Sequence, residues 1–166
     1  EAGAYCVALC ISGAWTEIVL DDIFPCQNGG LMYSYTTKQE IWAMLLEKAY
    51  AKAYGGYLNI GQGGQSVHAL KDITGAPCNF MHLSETDDKV ALKNIIDADK
   101  RKYIIACGSK GQGESKNAKG IIAGHAYTLV GAFKLSNGAT ILKLRNPWGR
   151  GEWTGDWSDD SPLWTP

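Results

Sequence analysis

The sequence has no apolar run near the roughly 20 residues that cross a bilayer, no excess of either charge, and no closely paired cysteines. Lysine and arginine number 16 against 17 aspartate and glutamate, a net charge of −1. No nucleic-acid or polyanion partner is therefore expected, and no membrane span in this segment. The five cysteines are Cys6, Cys10, Cys26, Cys78 and Cys107, an odd count without a CxxC spacing. Three lie in or beside apolar runs such as Tyr103-Ile104-Ile105-Ala106-Cys107. Free, buried thiols in a reducing, cytoplasmic setting are the expectation. The opening residues show no signal-peptide pattern and the last stop abruptly, so a fragment at both ends is expected.

What is present is a globular composition: 166 residues, 45% hydrophobic and 20% charged. That suits one domain or two small lobes. Residues 4–11 and 15–20 are apolar and β-branched around Ser12-Gly13, which predicts a hairpin. Asp21 to Ser34 reads as a loop holding Pro25 and Asn28-Gly29-Gly30. Thr37-Lys38-Gln39-Glu40 fits a capping box. Ile41, Trp42, Leu45, Leu46 and Ala49 then recur at helical spacing, with Gly55 as a stop. Residues 59–66 read as an exposed connector, with a short helix after Ser66. A further helix is expected over about Thr86 to Ala98, then a buried strand over Tyr103–Cys107. A surface loop over 108–120 and strands over Ile121–Phe133 and Thr140–Arg145 follow, the last two joined at Asn137-Gly138. Helices first and strands later predict an α+β fold.

Two short stretches in the last third carry candidate chemistry. His125 lies in Gly124-His125-Ala126-Tyr127, within an apolar strand. Asn146 opens Asn146-Pro147-Trp148-Gly149 at the end of the next strand. Taken alone, the first is a core histidine and the second a strand-to-turn signal. Together they suit a thiol-activating pair. An imidazole beside a cysteine lowers the thiol pKa from about 8.5 to roughly 3.5–7.5. A third group, asparagine in papain-like enzymes, then fixes the tautomer and orientation of the ring. A strict two-residue turn at Asn137-Gly138 would put Asn146 opposite Leu129. That is the correct face but four residues from His125, about 13 Å along a strand. The hairpin must be bulged, more open or strongly coiled for the side chains to meet.

Gly124-His125-Ala126-Tyr127 and Asn146-Pro147-Trp148-Gly149 resemble the histidine and asparagine motifs of the calpain family. So do Leu45-Leu46-Glu47-Lys48-Ala49-Tyr50-Ala51-Lys52, Asp72-Ile73-Thr74-Gly75, and the tail Glu152-Trp153-Thr154-Gly155-Asp156-Trp157-Ser158-Asp159. The five occur in the family's order over nearly the whole chain. The resemblance implies a papain-like core of a calcium-dependent cysteine endopeptidase. Residues 1–64 would be the later part of a helical first lobe, and 65–166 most of a β-rich, barrel-like second lobe. It implies a hydrolase with His125 as general base, Asn146 as its orienter and Trp148 as a shield. Gly63, Gly64 and Gly124 would line the cleft, where a substrate chain can approach a backbone that has no Cβ. Its partners would be a protein or peptide substrate and flanking regulatory domains. The nucleophilic cysteine of the family precedes the first hairpin in a Cys-Trp motif. Neither Cys6 nor Cys10 is followed by Trp, so the thiol is expected upstream of Glu1, and this chain alone is expected to be inactive.

The resemblance also implies Ca²⁺ in each lobe. Glu40 matches a ligand in the first and competes there with its capping role. Glu152 and Asp159 match ligands in the second and otherwise read as a solvated acidic turn. Ca²⁺ takes six to eight oxygens, so two carboxylates leave the shell to be completed elsewhere. The alternative to a protease is a calpain-like scaffold or regulatory module that keeps the fold without the thiol.

Overall fold

The computed structural model describes residues 3–36, 38, 40–113 and 115–164. The chain divides into two compact units, Glu1–Asn79 and Phe80–Pro166. Helix and strand are mixed in both, as the α+β expectation requires. Among the described residues no helix is long and apolar enough to cross a membrane.

The first unit opens on β1 (Ala4–Ile11) and β2 (Ala14–Asp21), antiparallel from Ala4↔Asp21 to Ile11↔Ala14. Ser12 and Gly13 both take positive φ, +51° and +85°, the condition for a two-residue turn that matches the twist of the strands. Asn28 and Gly29 repeat the device (φ +52° and +80°) and pair β3 (Cys26–Gln27) with β4 (Gly30–Leu31). This small hairpin lies inside the stretch read from sequence as loop, although Asn-Gly is a strong hairpin signal.

Helix α1 (Trp42–Ala53) follows. Its N-cap is Ile41, with no side-chain cap, so Glu40 precedes the cap instead of occupying the third helical position that a capping box requires. Thr37, the other half of that expected box, lies outside the described residues. Leu9, Ile18, Leu20, Leu45 and Ala49 form the buried cluster where α1 covers the first hairpin. Two lysines tie the helix to β2: Lys48 Nζ reaches Asp21 and the Ile23 carbonyl, and Lys52 Nζ the Val19 carbonyl. Trp42, expected on the buried face, is 64% exposed.

Helix α2 (Tyr57–Ile60) occupies part of the expected connector. Helix α3 (Ser66–Thr74) ends at Gly75 in the left-handed conformation and packs on β1. The compact unit therefore includes α3, and the lobe boundary read from sequence at residue 64 falls ahead of it.

In the second unit, α4 (Asp88–Lys100) is capped by Asp87, whose carboxylate accepts from the Lys89 and Val90 amides. Its Ala91 is buried, and Leu92, Ile95 and Ile96 are half-buried. Strands β5 (Ile105–Gly108), β6 (Ala126–Lys134) and β7 (Thr140–Arg145) form one antiparallel sheet with β6 in the centre. Tyr127, Leu129 and Gly131 alternate inward along β6. The barrel-like expectation does not hold: the sheets among the described residues have two or three strands, and none closes on itself.

Candidate active site

The register of β6 and β7 is what brings the sequence motifs together. The hairpin closes with Leu135 N donating to Ala139 O, so Ser136-Asn137-Gly138 forms a three-residue loop. That moves the ladder one step from the strict two-residue expectation. A bulge between Leu129 and Gly131 moves it a second step, after which Leu129 faces Leu144 and Thr128 faces Arg145. Continuing the ladder places Asn146 beside Tyr127, two residues from His125 and on the same face. The 13 Å separation of the regular hairpin is thereby halved to about 7 Å along the strand. Asp99 on α4 supports the bulged strand, because its Oδ2 accepts from the Ala132 amide at 3.1 Å.

Across that distance His125 Nε2 and Asn146 Oδ1 stand 2.8 Å apart. The asparagine is oriented by its own backbone contacts. Its Nδ2 donates to the Arg150 carbonyl at 2.8 Å, and its Oδ1 accepts from the Trp148 amide at 3.1 Å. A carbonyl can only accept and an amide N–H can only donate, so the oxygen must face the imidazole. Neutral His125 therefore carries its proton on Nε2, and Nδ1 is the basic nitrogen. The Asn-Pro-Trp-Gly turn does this locally. Gly149 N donates to Asn146 O, and Gly149 and Gly151 take φ of +64° and +83°.

His125 is 7% exposed. The Trp148 ring lies over it with centroids 4.5 Å apart, and Tyr127 meets it edge-on at 4.9 Å. These rings limit the access of water to the His–Asn hydrogen bond, which raises its strength. Gly124 precedes the histidine at φ +63°, and a Cβ there would come within 3.0 Å of the Gly111 carbonyl. Its glycine is thus required by the loop itself. Gly63 and Gly64, in the first unit, lie in the exposed segment between α2 and α3, with open space where a Cβ would stand.

Cys107 faces Tyr127 across β5 and β6, and burial pushes its thiol pKa upward. A nucleophile needs the opposite shift. Of the other cysteines, Cys10 is buried and Cys6, Cys26 and Cys78 are exposed. His68 and His82 are exposed.

Glu152 and Asp159 are solvent-exposed carboxylates of the second unit, and Glu40 is exposed in the first. No group of three or more His, Cys, Asp or Glu side chains converges among the described residues. Ca²⁺ takes six to eight oxygens, so these exposed carboxylates do not by themselves make a calcium shell. The Glu152 backbone is firmly seated: its carbonyl lies where a Cβ on Gly120 would stand, and Thr154 N donates to Lys119 O.

Sequence reasoning passed over Ser109, whose hydroxyl touches the backbone at Ile122 and His125. It sits in a Gly-, Ser- and Lys-rich stretch that carries no motif. The Tyr127 hydroxyl, which accepts from the Ile122 amide, was also missed, although Tyr127 was inside a quoted motif.

An imidazole oriented by an asparagine amide is what a Cys-His-Asn protease asks of its base. The chain belongs to the calpain family of cysteine proteases: that family's model, described as calpain family cysteine protease, matches residues 1–166. Calpain-12 of Mus musculus is 38% identical over 169 residues, covering 98% of this chain and 23% of that protein. Calpain-14 of Homo sapiens is 40% identical over 157 residues, covering 92% of this chain and 22% of that protein. The calpain-type cysteine protease DEK1 of Arabidopsis thaliana is 33% identical over 175 residues, 99% of this chain and 8% of that protein. The chain spans less than a quarter of the length of these relatives.

Proposed function

We propose that this chain supplies the base and orienting half of a Cys-His-Asn endopeptidase that cleaves intracellular proteins, the thiol coming from a parent segment upstream of Glu1. The hydrogen bond between His125 Nε2 and Asn146 Oδ1 carries the reading. With the Nε2 proton held by Asn146, Nδ1 takes the proton of the incoming thiol. The thiolate attacks the scissile carbonyl, and the imidazolium returns the proton to the leaving amine. Water then attacks the acyl-enzyme, with Nδ1 again as base. Asn146 keeps the ring oriented throughout, and Trp148 keeps water from their bond. Gly63 and Gly64 offer unobstructed backbone for a peptide substrate, and Gly124 shapes the loop leading to the base. The shares of 23% and 22% leave room in a parent chain of the relatives' length for flanking regulatory domains.

A peptidase assay on the full-length parent tests this. His125→Ala should lower kcat/KM on the order of 10²–10⁴-fold, the range for a general base. Cleavage that survives the substitution removes His125 from the mechanism. A parent that folds and binds peptide without cleaving would point to a scaffold.

Calcium belongs to the same proposal, through Glu40 in the first unit and Glu152 with Asp159 in the second. A bound cation would hold these exposed turns in place and has no step in the bond chemistry above. Calorimetric titration should lose a binding event when Glu152→Ala and Asp159→Ala are combined. Unchanged calcium affinity would exclude the second site.

A further inference from the structure

We propose that Ser109 is a positioning residue for His125. The inference rests on the base assignment above for its functional meaning, although its test does not. His125 stands just before β6, whose ladder with β5 begins at Gly108↔Ala126. The backbone leading into it, Ile122 to Gly124, lies outside the strands; among the described residues it is held by a bridge of Ile122 with Lys116, where Ala123 N donates to Ser115 O at 2.8 Å. Gly124 in that stretch takes the left-handed conformation. The histidine therefore sits where the sheet passes into a turn, its carbonyl bonded to the Ser109 amide, and a side chain at that junction can hold the turn to the sheet.

Ser109 does so with one side-chain atom. Its Oγ accepts from the His125 amide at 3.0 Å and donates to the Ile122 carbonyl. The His125 carbonyl lies 3.2 Å from the same oxygen and accepts from the Ser109 amide at 2.9 Å. A single hydroxyl thus joins the first and last residues of the Ile122–His125 turn and fixes its span. The Tyr127 hydroxyl accepts from the Ile122 amide, so the start of the turn is held from two sides. His125 is 7% exposed and Ser109 half-buried, so water replaces the hydroxyl only at a cost when it is removed. A shift of the His125 Cα passes directly to the ring. The bond from Nε2 to Asn146 is the interaction that suffers, because Asn146 is held separately by Arg150 and Trp148.

The experiment uses two-bond ¹H–¹⁵N NMR on this chain. It has three histidines, of which His68 and His82 serve as internal controls. In the unaltered protein neutral His125 should be the Nε2–H tautomer with a slowly exchanging ring proton. Ser109→Ala should speed that exchange by about tenfold or more, the scale of one lost buried hydrogen bond, and mix the tautomers. The His68 and His82 signals should stay in place. Ser109→Thr, which keeps the hydroxyl, should restore exchange to within about twofold. If Ser109→Ala does not fold, Ser109→Cys takes its place and is read by the same criteria. Exchange within about twofold of the unaltered protein in Ser109→Ala overturns the proposal. So does an equal acceleration in the alanine and threonine variants, because loop packing alone would produce it. Failure of the peptidase prediction would leave these signals unchanged, so the two readings fail separately.

Discussion

The bond between His125 and Asn146 can be measured as a free energy in a double-mutant cycle. Asn146→Ala removes three contacts: the bonds to His125 Nε2, to the Trp148 amide and to the Arg150 carbonyl. Trp148 and Arg150 are exposed, and water can replace the asparagine there at little cost. His125 is buried, so its ring N–H is left without its acceptor, a loss of about 1–3 kcal/mol. Asn146→Ala should therefore destabilise the protein by about that amount, or roughly 2–12 °C in Tm for a cooperative chain of this size. His125→Ala removes the same bond together with the packing against Trp148 and Tyr127. Combining the two should recover the shared bond, so the double variant should be more stable than the sum of losses by about 1–3 kcal/mol. Urea unfolding followed by tryptophan fluorescence gives all four corners. Additivity within about 0.5 kcal/mol would mean the two side chains do not interact in solution, and the orienting role of Asn146 would go with it.

Two further outcomes test the frame around the site. Gly120→Ala would place a Cβ 2.0 Å from the Glu152 carbonyl at a φ of +93°, so it should destabilise by several kcal/mol, whereas Gly64→Ala, in open space, should shift Tm by less than about 2 °C; equal thermal shifts would refute the seating of the Glu152 turn. The Asp21 pKa is lowered, first by the hydrogen bond from Lys48 and then by the Ile23 amide. Its folded value is therefore below its unfolded one, and the stabilisation is present above about pH 4 and lost as pH falls through the folded value. Lys48→Met should reduce the loss of stability between pH 5 and pH 2, read as Tm against pH; an unchanged acid limb would show that the pair adds nothing.

Local pattern was enough for much of this chain. The first hairpin, α1, α3, α4 and the three strands of the second unit each follow from alternation, helical spacing or turn residues close together in sequence. Their ends were less legible. Helix α4 runs over Asp88–Lys100 behind its Asp87 cap, slightly later than the expected Thr86 to Ala98, and Ile41 opens α1 without a side-chain cap, because helix ends depend on where packing stops the helix. The Asn28-Gly29 hairpin was overlooked for want of long strands on either side, although its turn residues were in view.

What the sequence alone determined was the identity and order of the chemistry: a glycine before His125, an Asn-Pro-Trp-Gly turn at Asn146, and a shared face for both. Those are consequences of residue type and of the two-residue period of a strand. The distance between them was decided only by the tertiary structure. A regular hairpin holds the two residues too far apart, and a three-residue loop with one bulge brings them together. The bulge lies between Leu129 and Gly131, and the Asp99 carboxylate of α4 bonds the strand beside it at Ala132, away from either motif. Ser109 belongs to the same category, since a hydroxyl becomes a clamp only when the fold sets two backbone groups on either side of it.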